Sequence, residues 1–195
     1  MKTLFLANII LIQMNKNKIL ATPFLALMLL VLALSGCEKV EDRVKFSFHD
    51  SANITIPSQS IISAGFLKIP SPEVQTSSQQ AFENNNTQAK YVKEAKLTAL
   101  SLSITSPQSQ SFSFLNEIKL YISAPGQEEV LLASKINIPN SVGQELPLDV
   151  TNVNLKPYIQ GDSYTIRSEV KVDEVTTQEI KIRADMHFSV TADVF

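Results

Sequence analysis

The chain has 195 residues, of which 18% are charged, five are glycine, one is cysteine and none is tryptophan. Its net charge is −2, and no basic cluster appears, which argues against nucleic acid or an anionic bilayer as an electrostatic partner. A single cysteine excludes an internal disulfide.

The first element in chain order is an apolar run at 19–34, which follows Lys16 and Lys18 and precedes the small residues Ser35 and Gly36. A basic, then apolar, then small-residue order is typical of a secretory signal peptide. The run is shorter than the roughly 20 apolar residues of a membrane span. We therefore expect export rather than a transmembrane helix.

The end of this segment, Leu34-Ser35-Gly36-Cys37, resembles the lipobox of bacterial lipoproteins. The resemblance implies a diacylglycerol group on the Cys37 sulfur, cleavage before Cys37 and acylation of the new amino terminus. Two or three acyl chains hold a protein stably on a membrane, whereas one chain does not.

The predicted organisation is a signal peptide at 1–36, an acylated tether at 37–43 and one domain at 44–195. Met14 is a candidate for the true start, because both signal-peptide lysines follow it. Removing residues 1–36 takes away three lysines (Lys2, Lys16 and Lys18), leaving 14 basic against 19 acidic residues and a net charge of about −5.

The first half of the domain gives weak strand signals at 44–48, 54–56 and 65–69. His49 and Asp50 are predicted to lie in a turn after the first of these strands. The polar stretch at 70–90 is predicted to be a long surface connection.

Clearer alternation of apolar and polar residues follows in the middle of the chain. Strands are predicted at 100–104, ending before Pro107, and at 118–122, with 130–135 as a return strand after the turn pair Pro125-Gly126. A further weak strand is predicted at 135–138, and short helical turns are predicted at 114–117 and 155–159.

The C-terminal residues 180–194 carry apolar side chains at every even position, which indicates a strand with one face in the core and one in water. Residues 164–172 alternate in the same way, and the short link around Asp173 and Glu174 predicts a hairpin. Seven to nine such strands predict an all-β antiparallel sandwich of immunoglobulin-like type, with a jelly roll or barrel as the alternative.

Several stretches together resemble small, uncharacterised lipoproteins of Bacteroidetes. They are FENNNT at 82–87, AKLTALSLSITSP at 95–107, FSFL at 112–115, IKLYIS at 118–123 and IRADMHF at 182–188. The resemblance implies lipid anchoring and a single β domain, and it brings no catalytic residue.

Few residues suggest chemistry. His49 and His187 are far apart in sequence, and Cys37 is assigned to lipid, so no metal and no cofactor are expected. His187 is predicted on the exposed strand face, two residues from Asp185. The tripeptide Asp50-Ser51-Ala52 resembles a short O-glycosylation acceptor of exported Bacteroidetes proteins, which would place Ser51 on an exposed turn.

The sequence thus predicts a non-enzymatic protein of the bacterial cell envelope, anchored in the outer membrane by acyl chains, on its periplasmic or outer face. Its partner would be another envelope protein or a glycan, and nucleic acid is excluded as a partner. The alternatives are an envelope hydrolase with its site on sandwich loops, and a carrier of lipid or another small ligand.

Overall fold

A computed structural model of the chain describes residues 42–58, 66–69 and 72–194. They lie within one compact unit, Asp42–Phe195. The predicted signal peptide, Cys37 and most of the predicted tether lie outside the described residues, so lipidation stays a prediction.

Within those ranges the structure has ten strands and two α-helices. The strands are β1 (Arg43–Ile56), β2 (Leu67–Ile69), β3 (Glu73–Gln75), β4 (Val92–Ser106), β5 (Leu115–Ser123), β6 (Val130–Lys135), β7 (Glu145–Pro147), β8 (Asp149–Val150), β9 (Ser163–Val172) and β10 (Ile180–Asp193). The helices are α1 (Ser78–Asn84) and α2 (Lys156–Ile159), and 3₁₀ turns occur at Ala89–Tyr91 and Phe112–Phe114.

The strands form two antiparallel sheets. The first sheet has the order β1-β10-β4-β7, and the second has the order β2-β9-β5-β6-β8, with β3 also paired to β9. Inward-facing aromatic side chains meet between them, as in the edge-to-face contact of Tyr164 with Phe188 at a centroid distance of 6.2 Å. The predicted all-β antiparallel sandwich is confirmed.

The order of the strands within the sandwich is that of a jelly roll. The first and last long strands, β1 and β10, lie side by side. Among the described strands, the chain crosses between the sheets six times, from β1 to β2, β3 to β4, β4 to β5, β6 to β7, β7 to β8 and β9 to β10. In an immunoglobulin sandwich, by contrast, the first strand (A) lies in the sheet A-B-E-D, and the last strand (G) lies in the other sheet, C-F-G. Of the two sandwich types considered from the sequence, the topology matches the jelly roll.

The predicted burial pattern of the C-terminal strand is confirmed along nearly its whole length. The even-numbered side chains from Ile180 to Ala192 are buried, and His187 is exposed. Only Val194 departs from the pattern, since it follows the end of β10 and is 38% exposed. The strands predicted at 118–122 and 130–135 also pair as expected, with Ile118 opposite Lys135 and Ile122 opposite Val130.

The hairpin predicted from residues 164–172 and 180–194 is wrong. β9 pairs with β5 in the second sheet, whereas β10 pairs with β1 and β4 in the first. The connecting segment therefore crosses the edge of the sandwich, and it is fixed there by Thr176, whose hydroxyl donates to the Pro57 carbonyl at 2.9 Å. Alternation shows which face of a strand is buried, but it does not identify the neighbouring strand.

Two predictions for the first half of the domain are also wrong. The turn predicted at His49 and Asp50 is absent, because β1 runs without interruption from Arg43 to Ile56. The stretch at 70–90 is not a surface connection throughout: α1 places Ala81 and Phe82 in the core, and β3 buries Val74.

Smaller differences involve irregular backbone. β4 begins at Val92 rather than near Leu100, and the register shifts in its pairing with β10 explain why alternation is lost there. The strand predicted at 135–138 does not continue past Lys135, because Asn137 adopts a left-handed φ of 53°. The helical turn predicted at 155–159 is confirmed as α2. The one predicted at 114–117 is wrong, because β5 begins at Leu115, directly after the 3₁₀ turn at Phe112–Phe114.

Candidate functional site

The outward face of the first sheet carries a shallow groove of about 460 Å³. Each of the four strands of that sheet contributes to it. Its lining residues are His49 and Asp50 from β1, Arg183, Asp185, Met186 and His187 from β10, Ser101 and Ser103 from β4, and Glu145 from β7.

The register of the strands explains why these side chains meet. Arg183 lies opposite Ser103, which in turn lies opposite Glu145, so three strands place polar residues in one row. Asp185 lies opposite both Ser51 and Ser101 in the next row. Because outward positions alternate with core positions along each strand, the polar half of each pattern gathers on this face.

One ion pair spans the groove floor along β10. An Arg183 guanidinium nitrogen, Nη2, lies 2.7 Å from Asp185 Oδ1, and both side chains remain partly exposed. An adjoining concavity of about 230 Å³ continues from this pair towards Ser51, Gln75 and Ser77. The surface thus presents one guanidinium, carboxylates, hydroxyls and imidazoles to a ligand.

The two histidines meet across the β1–β10 pairing. His49 lies directly opposite His187, and their rings are in edge-to-face contact with centroids 4.1 Å apart and planes at 76°. Both side chains are exposed. The prediction that these histidines are exposed is confirmed, whereas their separation in sequence gave no indication of this contact, because the strands that carry them are neighbours only in the folded sheet.

A buried carboxylate lies beneath this corner of the groove. Asp50 is only 7% exposed. Its Oδ1 accepts from the Ser77 backbone N–H at 2.8 Å, and its Oδ2 accepts from the Tyr164 hydroxyl at 3.0 Å. Burial raises the pKa of Tyr164 far above its usual range, and the Asp50 carboxylate raises that pKa further. The hydroxyl therefore stays protonated and donates a hydrogen bond to Asp50.

The contacts of Asp50 join three parts of the fold. Tyr164 belongs to β9 of the second sheet, and Ser77 precedes α1. The Ser77 hydroxyl also donates to the His49 carbonyl at 3.2 Å, which attaches this segment to the free edge of β1. Because all these hydrogen bonds are internal, we assign Asp50 a role in holding the groove rather than in binding a ligand.

The predicted site residues are placed as follows. Cys37 lies outside the described residues. Ser51 is exposed, as predicted, but it lies within β1 rather than in a turn, and the neighbouring Asp50 of the same tripeptide is buried. Glycosylation of Ser51 stays a prediction. An enzyme that glycosylates Ser51 would have to bind it within the extended edge strand β1, where the neighbouring Asp50 side chain is turned inward.

The groove brings Ser101, Asp185 and His187 to one surface, but among the described residues they do not form a catalytic relay. The Asp185 carboxylate is paired with Arg183, and the ring that meets His187 is His49. Over the same residues, no three or more His, Cys, Asp or Glu side chains converge as a metal-binding group. No helix in the described ranges is long and apolar enough to cross a bilayer.

Sequence reasoning missed most of the groove. Arg183, Glu145 and the serines of β4 drew no attention, because only the strand order brings them together. The one available signal was the i, i+2 spacing of Asp185 and His187 on the polar face of the last strand.

On the outward face of the second sheet, polar residues form hydrogen bonds and ion pairs with one another. Arg167 donates to Glu129 at 2.6–3.0 Å and to Glu169 at 2.6 Å, and it lies over the Tyr121 ring at 4.2 Å. Hydrogen bonding to Arg167 lowers the pKa of Glu169. These groups already satisfy one another, so the first sheet offers the better ligand surface.

No protein-family model and no curated protein matches the chain. Among solved structures, it is similar to the BFDV capsid protein in its 60-mer crystal structure, with 11% identity over 80% of this chain and 96% of that one and a TM-score of 0.40. It is also similar to Desmodium yellow mottle tymovirus (12% identity, 78% of this chain and 90% of that one, TM-score 0.27). A third similarity is to a carbohydrate-binding module of the β-sandwich superfamily (11% identity, 75% and 56%, TM-score 0.28). At such identities and TM-scores, these similarities say nothing about what the chain binds or does.

Proposed function

We propose that the chain is a lipid-anchored, non-enzymatic protein of the bacterial cell envelope that binds a polar ligand, a glycan in the first instance, in the groove of the first sheet. The observation that carries the binding half is the groove itself, to which all four strands contribute polar side chains. Its volume of about 460 Å³ falls in the range of small-molecule sites, about 300–1,000 Å³.

The chemistry of the lining supports a hydroxyl-rich ligand. The Asp185 and Glu145 carboxylates accept hydrogen bonds, the Arg183 guanidinium donates them, and the Ser101 and Ser103 hydroxyls do both. Sugar hydroxyls also act as both donors and acceptors. The anchoring half of the proposal depends on the lipobox resemblance at Cys37.

Binding is tested by calorimetric titration of the full-length protein in detergent with soluble oligosaccharides released from the cell envelope. We expect saturable binding that Arg183→Ala and Glu145→Ala abolish. Lys171→Ala is the matched control, because Lys171 is an exposed charge on β9 of the other sheet. The absence of saturable binding, or equal loss in the control, would contradict the glycan proposal.

Anchoring is tested by fractionating cells that produce the wild type or Cys37→Ala. We expect the wild type in the membrane fraction with an acylated N-terminal Cys37 in its mass spectrum. The variant should remain as an uncleaved precursor or appear in the soluble fraction. An uncleaved, unmodified wild-type chain would rule out lipidation.

An envelope hydrolase is the alternative, because Ser101 and His187 share the groove with the outward-facing carboxylates of Asp185 and Glu145. It predicts turnover of ester substrates, with Ser101 as the nucleophile, that Ser101→Ala abolishes. Binding without turnover favours the non-enzymatic binding protein.

A further inference from the structure

The chain contains two histidines, and the fold brings both to the same place. His49 and His187 occupy opposing positions on β1 and β10, with ring centroids 4.1 Å apart.

The backbone at this pair favours close side chains. The His49 carbonyl accepts from the Ser77 hydroxyl, and the His187 carbonyl accepts from the Thr98 hydroxyl at 3.0 Å on the β4 side. Both carbonyls therefore point away from the β1–β10 ladder, which makes this a non-hydrogen-bonded pair. In such pairs the Cα atoms are about 4.5 Å apart and the side chains leave the same face together.

This geometry suits one ion held between two imidazoles. Zinc lies about 2.0–2.1 Å from a histidine nitrogen, so two nitrogens bound to the same tetrahedral ion are about 3.3 Å apart. The rings are already close enough for that separation. Both are exposed and turn about a broad χ2 torsion, so each can direct a nitrogen to the gap.

The surroundings leave room for the remaining ligands. The gap opens into the groove, where water or an oxygen of a bound molecule can complete the coordination. Asp185 lies two residues from His187 and lines the same groove, where its carboxylate is paired with Arg183.

We propose that His49 and His187 form a two-histidine site for an imidazole-preferring divalent transition metal such as Zn²⁺, Ni²⁺ or Cu²⁺, which clips the first strand to the last. Hard cations such as Mg²⁺ prefer oxygen ligands and are not expected to bind. The site is a property of these two strands and does not depend on what the rest of the groove binds.

The test is thermal unfolding of the full-length chain in detergent, without a histidine tag and with Cys37→Ser to remove the other soft ligand. An ion that binds only the folded state raises the unfolding temperature. We expect a saturable rise with ZnCl₂ and NiCl₂ that EDTA reverses, and no rise with MgCl₂. His49→Gln and His187→Gln should each abolish the rise, whereas Asn53→Gln, an exposed change on the same strand, should keep it.

A second measurement, on the chain with both histidines, tests the proposal even if the histidine variants do not fold. In the protein labelled with ¹³C-histidine, diamagnetic Zn²⁺ should shift the ring signals of both histidines together and reach saturation at one ion per chain. Zinc-dependent stabilisation that persists in either histidine variant, or ring signals that do not respond to Zn²⁺, would overturn the proposal.

Discussion

Replacement of Tyr164 by phenylalanine removes one hydroxyl from the interior and tests whether the buried Asp50 is held as the structure shows. Tyr164 is 1% exposed, and its hydroxyl donates to Asp50 Oδ2 at 3.0 Å. A hydrogen bond to a charged group contributes about 1.5–3 kcal/mol. We expect Tyr164→Phe to lower the free energy of unfolding by that amount.

Tyr158→Phe is the matched control. The Tyr158 hydroxyl donates to the neutral backbone carbonyl of Glu128 at 2.7 Å. A hydrogen bond between neutral groups contributes about 0.5–1.5 kcal/mol. Urea unfolding followed by circular dichroism gives both values, and the slope against urea should be unchanged because neither substitution alters the surface exposed on unfolding.

A double-mutant cycle isolates the pair. Asp50→Ala leaves the Tyr164 hydroxyl with only the weak contact to Met186 Sδ at 3.7 Å, so the second substitution should cost much less in that background. We expect a coupling free energy of about 1.5–3 kcal/mol. A coupling below about 0.5 kcal/mol, with Tyr164→Phe no more harmful than Tyr158→Phe, would refute the assignment of Asp50 as a buried acceptor.

Three further predictions use the same unfolding assay. Phe188 is fully buried, and its ring stacks on that of Phe48 with centroids 4.8 Å apart. Phe188→Ala should therefore lower the free energy of unfolding by about 3–5 kcal/mol, whereas His187→Ala, at an exposed position, should lower it by about 0.5 kcal/mol. Similar losses for the two variants would contradict the assigned faces. Ser168 Oγ is buried and, among the described residues, has no hydrogen-bond partner, so Ser168→Ala should be neutral or stabilising by about 1 kcal/mol, and a loss would reveal a missed partner. Because burial raises the pKa of Tyr164, the folded chain keeps a proton that the unfolded chain loses above about pH 10, and stability should fall as pH rises past that point. Tyr164→Phe should flatten this fall, and an unchanged slope would contradict it.

The sequence predicted which faces of the strands are buried, because that property is local. In β10 the even-numbered positions are apolar, and each from Ile180 to Ala192 faces the core. The β5–β6 hairpin was also predictable, since a proline–glycine turn joins two alternating runs that pair directly.

The partners of the strands were not predictable in the same way. A hairpin and a crossing between sheets leave the same alternation in β9 and β10, and only the packing of the whole sandwich distinguishes them. Asp50 escaped notice because a charged residue within a polar run suggests a turn, whereas here Tyr164 and Ser77 supply the hydrogen bonds that allow its burial.

The groove was the least predictable feature, because it depends on pairing between the two ends of the chain. β10 lies between β1 and β4 and contributes Arg183, Asp185 and His187, so the site is complete only once the last strand has joined the first sheet. These side chains point outward, away from the core, so replacing them should change stability by about 0.5 kcal/mol or less. Asp50 is the exception, because its carboxylate lies inside the sandwich beneath the same surface. Binding studies should therefore substitute the outward residues, because a loss of binding in those variants reports on the groove alone. A loss of binding on substitution of Asp50 would not distinguish damage to the groove from damage to the fold that supports it.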